Sequence, residues 1–265
     1  MRFKNLASSS SGNSTYIGSD KVHLLIDCGI SKKRILEGLD EAQISLNDID
    51  AIVLTHEHTD HVSSLKILER AADIPVYATK GTIDALTAAE RSYGIDEDLF
   101  HVICADKPFY IGDMLIKPFS VSHDANEPVC LRIENGKKSA GIITDLGCYN
   151  EYLVENFKGL DIIMAEANHD IRMLETGKYP YYLKQRIAGK KGHLSNEESG
   201  RFISDILHDG LKEIILAHLS RENNYPDLAR LSVETEIDLS DGKYKRSDFK
   251  IEVAKADMPL DILEV

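Results

Sequence analysis

The sequence predicts an α/β fold in which two mixed β-sheets pack face to face and helices cover their outer surfaces. Short apolar runs of strand length recur along all 265 residues, interspersed with amphipathic stretches of helix length. The runs do not follow the strict strand–helix–strand order of a doubly wound sheet, which favours mixed sheets. No repeat, low-complexity tract or linker divides the sequence, so we expect residues 1–265 to form a single domain.

The predicted strands are short runs rich in Val, Ile, Leu and Ala. They are residues 2–7, 14–17, 22–27, 51–55, 75–78, 115–121, 129–134, 139–144, 162–165, 213–217 and 250–256. The predicted helices are residues 32–39, 62–71, 80–93, 149–156, 196–208 and 227–236. Ser31 is a candidate N-cap for the first helix, and Ser195 with Glu198 is predicted to form a capping box before the fifth.

Composition and charge limit the partners. The formal net charge of −13 argues against tight, extended binding of a long duplex, because DNA-binding surfaces neutralise phosphates with basic residues. No apolar run is long enough to span a membrane, so we expect no membrane partner. The four cysteines form no CxxC pair, and the first residues lack the apolar stretch of a secretory signal. We therefore expect a cytoplasmic protein.

Four metal-competent side chains follow the predicted strand that ends at Thr55: His56, His58, Asp60 and His61. Histidines two apart in an extended segment point to one side, so His56 and His58 can hold one ion together. Asp60 and His61, at the turn into the next helix, can face a second ion. Imidazoles with a carboxylate suit Zn²⁺, and the carboxylate leaves Mn²⁺ open. The alternative is a polar loop, in which this many polar groups beside a buried strand would be costly.

The order His-x-His-x-Asp-His resembles the signature of the metallo-β-lactamase superfamily, and further motifs follow in the order of that family. Asp27 ends an early predicted strand, and His123 follows a later one. Asp145 ends another strand, and His218 closes a late one. The resemblance covers nearly the whole sequence and implies the αββα sandwich of the family.

The resemblance also implies a site for two divalent metal ions, Zn²⁺ or Mn²⁺. The resemblance implies that the first ion is bound by His56, His58 and His123, and the second by Asp60, His61 and His218. Asp145 would bridge both ions. Asp27 would support the ligands through hydrogen bonds. Two such ions about 3.5–4 Å apart can share a hydroxide and clamp the oxygens of a phosphodiester, with Asp60 as both ligand and catalytic residue.

The segment between Asp145 and His218 indicates the substrate. Glu166 in a Glu-Ala pair, His193 in Gly-His-Leu-Ser and His218 in His-Leu-Ser-Arg resemble motifs of the tRNA 3′-processing nucleases. That resemblance implies that His193 acts on the phosphate or the leaving group, supported by Glu166. A histidine beside a leaving oxygen is a sensible general acid. The alternative for His193 is a loop residue at the start of a helix.

The serine-rich opening of the chain resembles the start of the bacterial YycJ/WalJ-like proteins, a short branch of the superfamily regarded as 5′-to-3′ DNA exonucleases. Its hydroxyl and backbone N–H donors predict a site for substrate phosphate at Ser9, Ser10, Ser11 and Asn13. The alternative is a flexible hairpin of turn-forming residues.

Only 73 positions separate Asp145 from His218 (218 − 145), so we expect no inserted second domain of the kind that larger nucleases of the superfamily carry. Residues 178–191 mix basic side chains with tyrosines, which is typical of a surface that follows a nucleic-acid backbone and stacks bases. The alternative for this segment is a solvated helix with its tyrosines packed inward.

These features together predict a metal-dependent phosphodiester hydrolase, a 5′-to-3′ DNA exonuclease, with nucleic acid as its partner and DNA favoured over RNA. The open alternatives are a small-nucleotide or cyclic phosphodiesterase and an RNA-processing nuclease. A thioesterase of the glyoxalase type is less favoured, because Val62-Ser63-Ser64 stands where those enzymes have glycines. A non-catalytic scaffold that keeps its metal for stability is disfavoured by the intact set of seven candidate ligands. Protein partners are not indicated.

Overall fold

The structure is a computed structural model that describes residues 1–88 and 96–265. Its fold consists of two mixed β-sheets flanked by helices, which confirms the predicted fold class. The chain divides into two compact units, which are described separately. The first unit comprises Met1–Ser120, Ala125–Lys138 and Lys255–Val265, and the second comprises Val121–Asp124 and Ser139–Ala254. The single domain without an insertion stays a prediction.

The strands and helices of the described residues are numbered in chain order. The strands are β1 (Arg2–Ala7), β2 (Ser14–Gly18), β3 (His23–Ile26), β4 (Ala51–Val53), β5 (Val76–Thr79), β6 (Phe100–Ile103), β7 (Phe109–Ile111), β8 (Met114–Ser120), β9 (Val129–Asn135), β10 (Lys138–Ile143), β11 (Ile162–Glu166), β12 (Glu213–Ala217), β13 (Lys250–Val253) and β14 (Leu263–Glu264). The helices are α1 (Lys32–Glu41), α2 (Thr59–Val62), α3 (Leu65–Ala72), α4 (Lys80–Ala88), α5 (Glu151–Phe157), α6 (Ile171–Thr176), α7 (Tyr181–Ile187), α8 (Asn196–Ile206) and α9 (Pro226–Leu239). None of these described helices is long and apolar enough to cross a membrane.

The first unit contains a seven-stranded sheet with the order β14-β1-β2-β3-β4-β5-β6 and the antiparallel strands β7-β8-β9. Strands β3 to β6 run parallel, with Ile26 of β3 opposite Val53 of β4. Buried residues of α1 and α3, such as Leu39 and Leu68, pack in one core cluster with Leu25 and Ile52 of the sheet. Because neighbouring parallel strands end at the same edge, the loops after β3 and β4 leave the sheet side by side.

The second unit contains four parallel strands in the order β13-β12-β11-β10. All residues of β11 and β12 are buried, as expected for parallel strands that are covered on both faces. Phe202 of α8 is fully buried and contacts the rings of Tyr149 and Phe157. The carboxyl ends of β10, β11 and β12 lie at one edge, where Asp145, Glu166 and His218 are found.

The predicted strands at residues 2–7 and 213–217 have the same bounds in the structure, and the other predicted strands have shifted ends. Strands β6, β7 and β14 are not predicted by the sequence pattern. Strands β6 and β7 have only four and three residues and are partly exposed, and β14 has two residues, paired with Arg2 and Phe3 of β1, so none of them forms a long apolar run.

The predicted helix at residues 62–71 is wrong as a single element. The structure has α2 and α3 instead, because the backbone N–H of Ser64 donates to Cys28 O (3.0 Å) and its hydroxyl donates to Ile30 O. These bonds attach the chain to the loop after β3 and separate the two helices. Of the predicted helix at residues 80–93, the part from 89 onward lies outside the described residues.

The two predicted N-caps have different outcomes. Ser31 occupies the N-cap position of α1 but makes no side-chain capping hydrogen bond in the structure. Ser195 caps α8 as predicted: its hydroxyl accepts from Glu198 N (3.2 Å), and the Glu198 carboxylate accepts from Ser195 N (3.2 Å). The capping box therefore fixes the start of the helix directly after the Gly-His-Leu-Ser motif.

Gly29 lies against the backbone of the turn that carries Asp60. A Cβ on Gly29 would overlap the carbonyl oxygen of Asp60 and lie 2.7 Å from His61 N. We expect Gly29→Ala to lower the free energy of unfolding by about 1–3 kcal/mol in urea titrations, because neither backbone segment can yield cheaply. In the control Gly242→Ala, the Cβ would meet only the Ser240 hydroxyl at 3.4 Å. The control should change stability by less than about 0.5 kcal/mol, and equal unfolding curves for both variants would contradict the close contact.

Candidate functional site

A buried carboxylate orients a candidate ligand in the first unit. Asp27 follows β3 and is 3% exposed. Its Oδ1 accepts from Thr55 N (2.9 Å), and its Oδ2 accepts from Thr55 Oγ1 (2.8 Å) and from His61 Nδ1 (2.7 Å). Because a carboxylate only accepts, Nδ1 of His61 carries the proton. Nε2 is then the ring atom that can bind a metal ion.

The histidines after β4 lie close to one another. The ring centroids of His56 and His58 are 4.6 Å apart, and those of His56 and His61 are 4.2 Å apart. His56 and His61 are almost fully buried. Imidazole nitrogens that lie this close together are suitable ligands for divalent cations. The spacing therefore fits metal ligands.

Asn13 connects the serine-rich turn to two candidate ligands. Its backbone N–H donates to Asp60 O (2.8 Å). Its Nδ2 lies 3.1 Å from His61 Nε2 and 3.4 Å from Asp60 Oδ2. The structure thus brings Asn13, Asp60 and His61 together within the first unit.

The predicted phosphate site divides into a buried half and an exposed half. The side chain of Asn13 accepts from the Ser8 hydroxyl (2.8 Å) and from Ser9 N (3.2 Å), and the Ser9 hydroxyl accepts from Ser11 N (3.2 Å). Ser9 and Asn13 are buried, whereas Ser10 and Ser11 are exposed. Ser9 and Asn13 therefore hold the turn together, and the hydroxyls of Ser10 and Ser11 face solvent.

A second buried carboxylate organises the second unit. Glu166, at the end of β11, is fully buried. Its Oε1 accepts from His193 Nδ1 (2.7 Å) and His218 Nδ1 (2.9 Å). Its Oε2 accepts from the backbone N–H groups of Leu146 (2.8 Å) and Leu194 (3.3 Å). One side chain therefore joins three loops, and both histidines keep Nε2 for another partner.

Glu166 and His193 shift each other's proton affinity. Burial raises the pKa of Glu166, but the charges and hydrogen bonds of the two histidines outweigh burial and bring its pKa below the usual range. Burial lowers the pKa of His193, but the charge and hydrogen bond of Glu166 outweigh burial and raise that pKa. The pair therefore favours an ionised carboxylate beside a protonated imidazole, which is the form that a general acid needs.

Asp145 lies close to His123 and His218 of the second unit. His123 donates through Nδ1 to Gly192 O (3.1 Å), and its Nε2 lies 3.6 Å from Asp145 Oδ1. Nε2 of His218 lies 3.5 Å from the same oxygen. Zn–N bonds of about 2.0–2.1 Å place the donors of a tetrahedral zinc about 3.3–3.4 Å apart. The distances of 3.6 and 3.5 Å from Asp145 Oδ1 to the two imidazoles are longer than hydrogen bonds and close to the spacing of donors around one zinc ion. This donor set therefore fits a metal ion.

Three candidate residues share a strained backbone. Asp27, Asp145 and His218 follow strands, and their φ angles of 56°, 58° and 55° lie in the left-handed region. Residues other than glycine rarely adopt this conformation, which costs of order 1–3 kcal/mol and is common at functional sites. Among residues 1–88 and 96–265, the left-handed region also contains three non-glycine residues in loops outside the candidate set: Gln43, Asp73 and Asp106.

Sequence reasoning missed residues that support the candidate ligands through hydrogen bonds. Thr55 donates two hydrogen bonds to Asp27 and directly precedes the candidate ligand His56. Asn168 donates through Nδ2 to His218 O (2.9 Å), and its own carbonyl accepts from Ser220 N (2.8 Å) and from Asn224 Nδ2 (3.1 Å). The available signal is polar side chains directly after buried strands, since loops without ladder partners need other donors and acceptors.

Known proteins resemble this chain over most of its length. Residues 23–218 match a family described as a β-lactamase superfamily domain. Exodeoxyribonuclease YycJ of Bacillus anthracis is 38% identical over 233 residues, which are 88% of either chain. Exodeoxyribonuclease WalJ of Streptococcus pneumoniae serotype 2 is 35% identical over 267 residues, covering 100% of this chain and 98% of that protein. The crystal structure of Zn²⁺-bound PqqB from Methylobacterium extorquens has a TM-score of 0.72 at 19% identity, over 98% of this chain and 100% of that one. The resemblance predicted from the motifs is confirmed.

The hydrogen bond from His61 to Asp27 predicts the effect of removing that carboxylate. Asp27→Ala should weaken Zn²⁺ binding by about 10–100-fold, the usual effect of losing a hydrogen-bond partner of a ligand. Competition with a chromogenic chelator measures the affinity, and circular dichroism checks the fold. Asp20→Ala, at an exposed aspartate of the same unit, is the control and should bind zinc normally. Wild-type affinity in a folded Asp27→Ala protein would refute the supporting role.

Proposed function

We propose that this chain, which belongs to the metallo-β-lactamase superfamily, is a metal-dependent phosphodiester hydrolase that degrades DNA from the 5′ end. Family membership rests on the match over residues 23–218 and on 35% and 38% identity to two exodeoxyribonucleases. The observation that carries the proposal is the contact of His193 Nδ1 with the buried Glu166 carboxylate (2.7 Å). Breaking a phosphodiester requires a proton for the leaving oxygen, and this pair can supply it.

The proposal assigns two divalent ions, Zn²⁺ or Mn²⁺, to the ligands that the family resemblance implies. They are His56, His58, Asp60, His61, His123, Asp145 and His218. Support comes from within each unit, where His61, His123 and His218 hold Nδ1 in hydrogen bonds, and their Nε2 atoms lie 3.5–3.6 Å from the carboxylates of Asp60 or Asp145, which are candidate ligands too. When bound, the ions would lower the pKa of water and neutralise charge on the phosphate.

The residues of the chain itself would position and protonate the substrate. His193 keeps Nδ1 on Glu166, and its side chain is 19% exposed, so Nε2 can reach a leaving oxygen. Glu166 keeps that imidazole protonated. The hydroxyls of Ser10 and Ser11 would receive the 5′-phosphate, because they are exposed and their turn is bonded to Asp60 through Asn13.

We propose DNA over RNA as the substrate, since YycJ of Bacillus anthracis and WalJ of Streptococcus pneumoniae, 38% and 35% identical to this chain, are named exodeoxyribonucleases. We also propose a cytoplasmic location. All four cysteines, which lie in the described ranges, are free thiols. A reducing cytosol keeps cysteines in that form.

Substitution of His193 tests the proposed activity. Metal-loaded wild-type protein should shorten 5′-phosphorylated DNA stepwise, as seen by gel electrophoresis of 3′-labelled strands. His193→Ala should lower kcat by about 10²–10⁴ at unchanged metal content, the range for loss of general acid catalysis. His101→Ala, at an exposed histidine of β6, is the control and should keep wild-type kcat. The proposal fails if the wild type, with its metal bound, degrades no DNA; normal kcat in His193→Ala would return His193 to the role of a loop residue.

The exposed half of the serine turn predicts how the 5′ end is recognised. Ser10→Ala with Ser11→Ala should reduce the preference for 5′-phosphorylated over 5′-hydroxyl DNA by about 10–100-fold, because hydrogen bonds to a charged group contribute about 1.5–3 kcal/mol. The loss should be partial, since the backbone N–H groups remain. The measurement is kcat/KM for the two substrates. Ser9→Ala, at the buried serine, should instead lower both values together, and an equal loss in the double variant would assign the exposed serines to the scaffold.

A further inference from the structure

The two most exposed large hydrophobic side chains of the described residues are neighbours on α7. Tyr181 is 74% exposed and Tyr182 is 73% exposed. The alternative in which these tyrosines pack inward is therefore wrong. Tyrosine rings bring a large apolar surface that is normally buried, so two adjacent exposed rings indicate a binding function.

The sequence segment that carries these tyrosines has a net charge opposite to that of the whole protein. Residues 178–191 contain no Asp or Glu, although the chain carries a formal net charge of −13. The basic residues of this segment are Lys178, Lys184, Arg186, Lys190 and Lys191. Lys178, Lys190 and Lys191 are exposed. A local concentration of cations beside aromatic rings complements a strand of phosphates and bases.

The 178–191 segment is tied to the candidate site of the same unit. Arg186 forms an ion pair with Asp124, the neighbour of His123. The carbonyl of Ile187, the last residue of α7, accepts from His193 N (2.9 Å). These bonds hold α7, which carries the exposed rings, next to the backbone of His193, whose imidazole would act on the leaving oxygen.

A cavity adjoins one of the rings. It has a volume of about 330 Å³ and is lined by Leu174, Glu175, Tyr181, Lys184, Gln185 and Ala188. Lys184 Nζ donates to Glu175 O (2.7 Å), which holds the methylene groups of its side chain against the cavity. A base that stacks on Tyr181 could therefore also contact the side chains that line this cavity.

We propose that residues 178–191 bind single-stranded DNA, with bases stacked on Tyr181 and Tyr182 and phosphates held by the lysines. This inference rests on the proposed function, because it takes DNA as the substrate. A single strand is required, since the base faces of a duplex are already stacked on each other. Aromatic stacking tolerates any base, so the surface would hold the substrate without sequence preference.

The test measures binding to the full-length, metal-loaded protein. The probe is a single-stranded phosphorothioate oligonucleotide that contains 2-aminopurine, whose fluorescence falls when the base stacks on an aromatic ring. Wild-type protein should bind the probe and quench it. Tyr181→Ala with Tyr182→Ala should weaken binding by about tenfold or more and remove the quenching. Tyr181→Phe with Tyr182→Phe should retain both, because stacking needs the ring and not the hydroxyl.

Two comparisons complete the test. Tyr110→Ala, at a tyrosine of β7 that is 68% exposed, is the control and should bind and quench as the wild type does. Lys190→Ala with Lys191→Ala should reduce the slope of log affinity against log salt concentration by about 1.4, at about 0.7 for each phosphate contact on a single strand. An unchanged slope would show that Lys190 and Lys191 do not contact the phosphates of the bound strand.

Failure of this inference and failure of the proposed function give different results. Equal affinity and quenching in the wild type and the double alanine variant would overturn the binding surface, even if the wild type degrades DNA. Tyrosine-dependent binding and quenching would support the surface. If the same wild type left DNA intact, the proposed function alone would fail.

Discussion

A carboxylate buried at the end of a parallel strand needs donors for its oxygens, and the loops of each unit are arranged to supply them. Glu166 receives four hydrogen bonds, two from imidazoles and two from backbone N–H groups. Asp27 receives three, two of them from Thr55. A buried ionised group that lost these partners would be strongly destabilising, so the positions of the donors follow from the position of the acid. His61, His193 and His218 are among those donors.

This constraint also explains why the backbone tolerates strain at the same places. Asp27, Asp145 and His218 adopt positive φ after strands, and hydrogen bonds hold the backbone at or next to each of them. Asp27 N donates to Val53 O (3.0 Å), Leu146 N after Asp145 donates to Glu166, and His218 O accepts from Asn168. Strained conformations persist where the surroundings determine them more than once.

The sequence predicts the parts of this arrangement that depend on local patterns. Apolar runs locate the buried strands, and His or Asp at their ends locates the candidate ligands. The break between α2 and α3 is not predictable, because it depends on a hydrogen bond from Ser64 to a residue 36 positions earlier, Cys28 (64 − 28). Exposure has the same limit: Ser9 is buried and Ser10 is exposed within one run of serines. The complete ligand set, the phosphate site and the single domain stay predictions.

A protein with a net charge of −13 can bind a polyanionic strand if basic residues attract the strand over a short range. At physiological ionic strength charges are screened beyond about 8 Å, so acidic side chains far from a bound strand contribute little repulsion. The basic residues of the 178–191 segment share that segment with Tyr181, and no acid interrupts it. The acidic residues elsewhere then oppose close contact with DNA, because a long duplex lying against them would bring many like charges within the screening distance. Such a charge distribution favours local contact with a single strand over extended coating of a duplex.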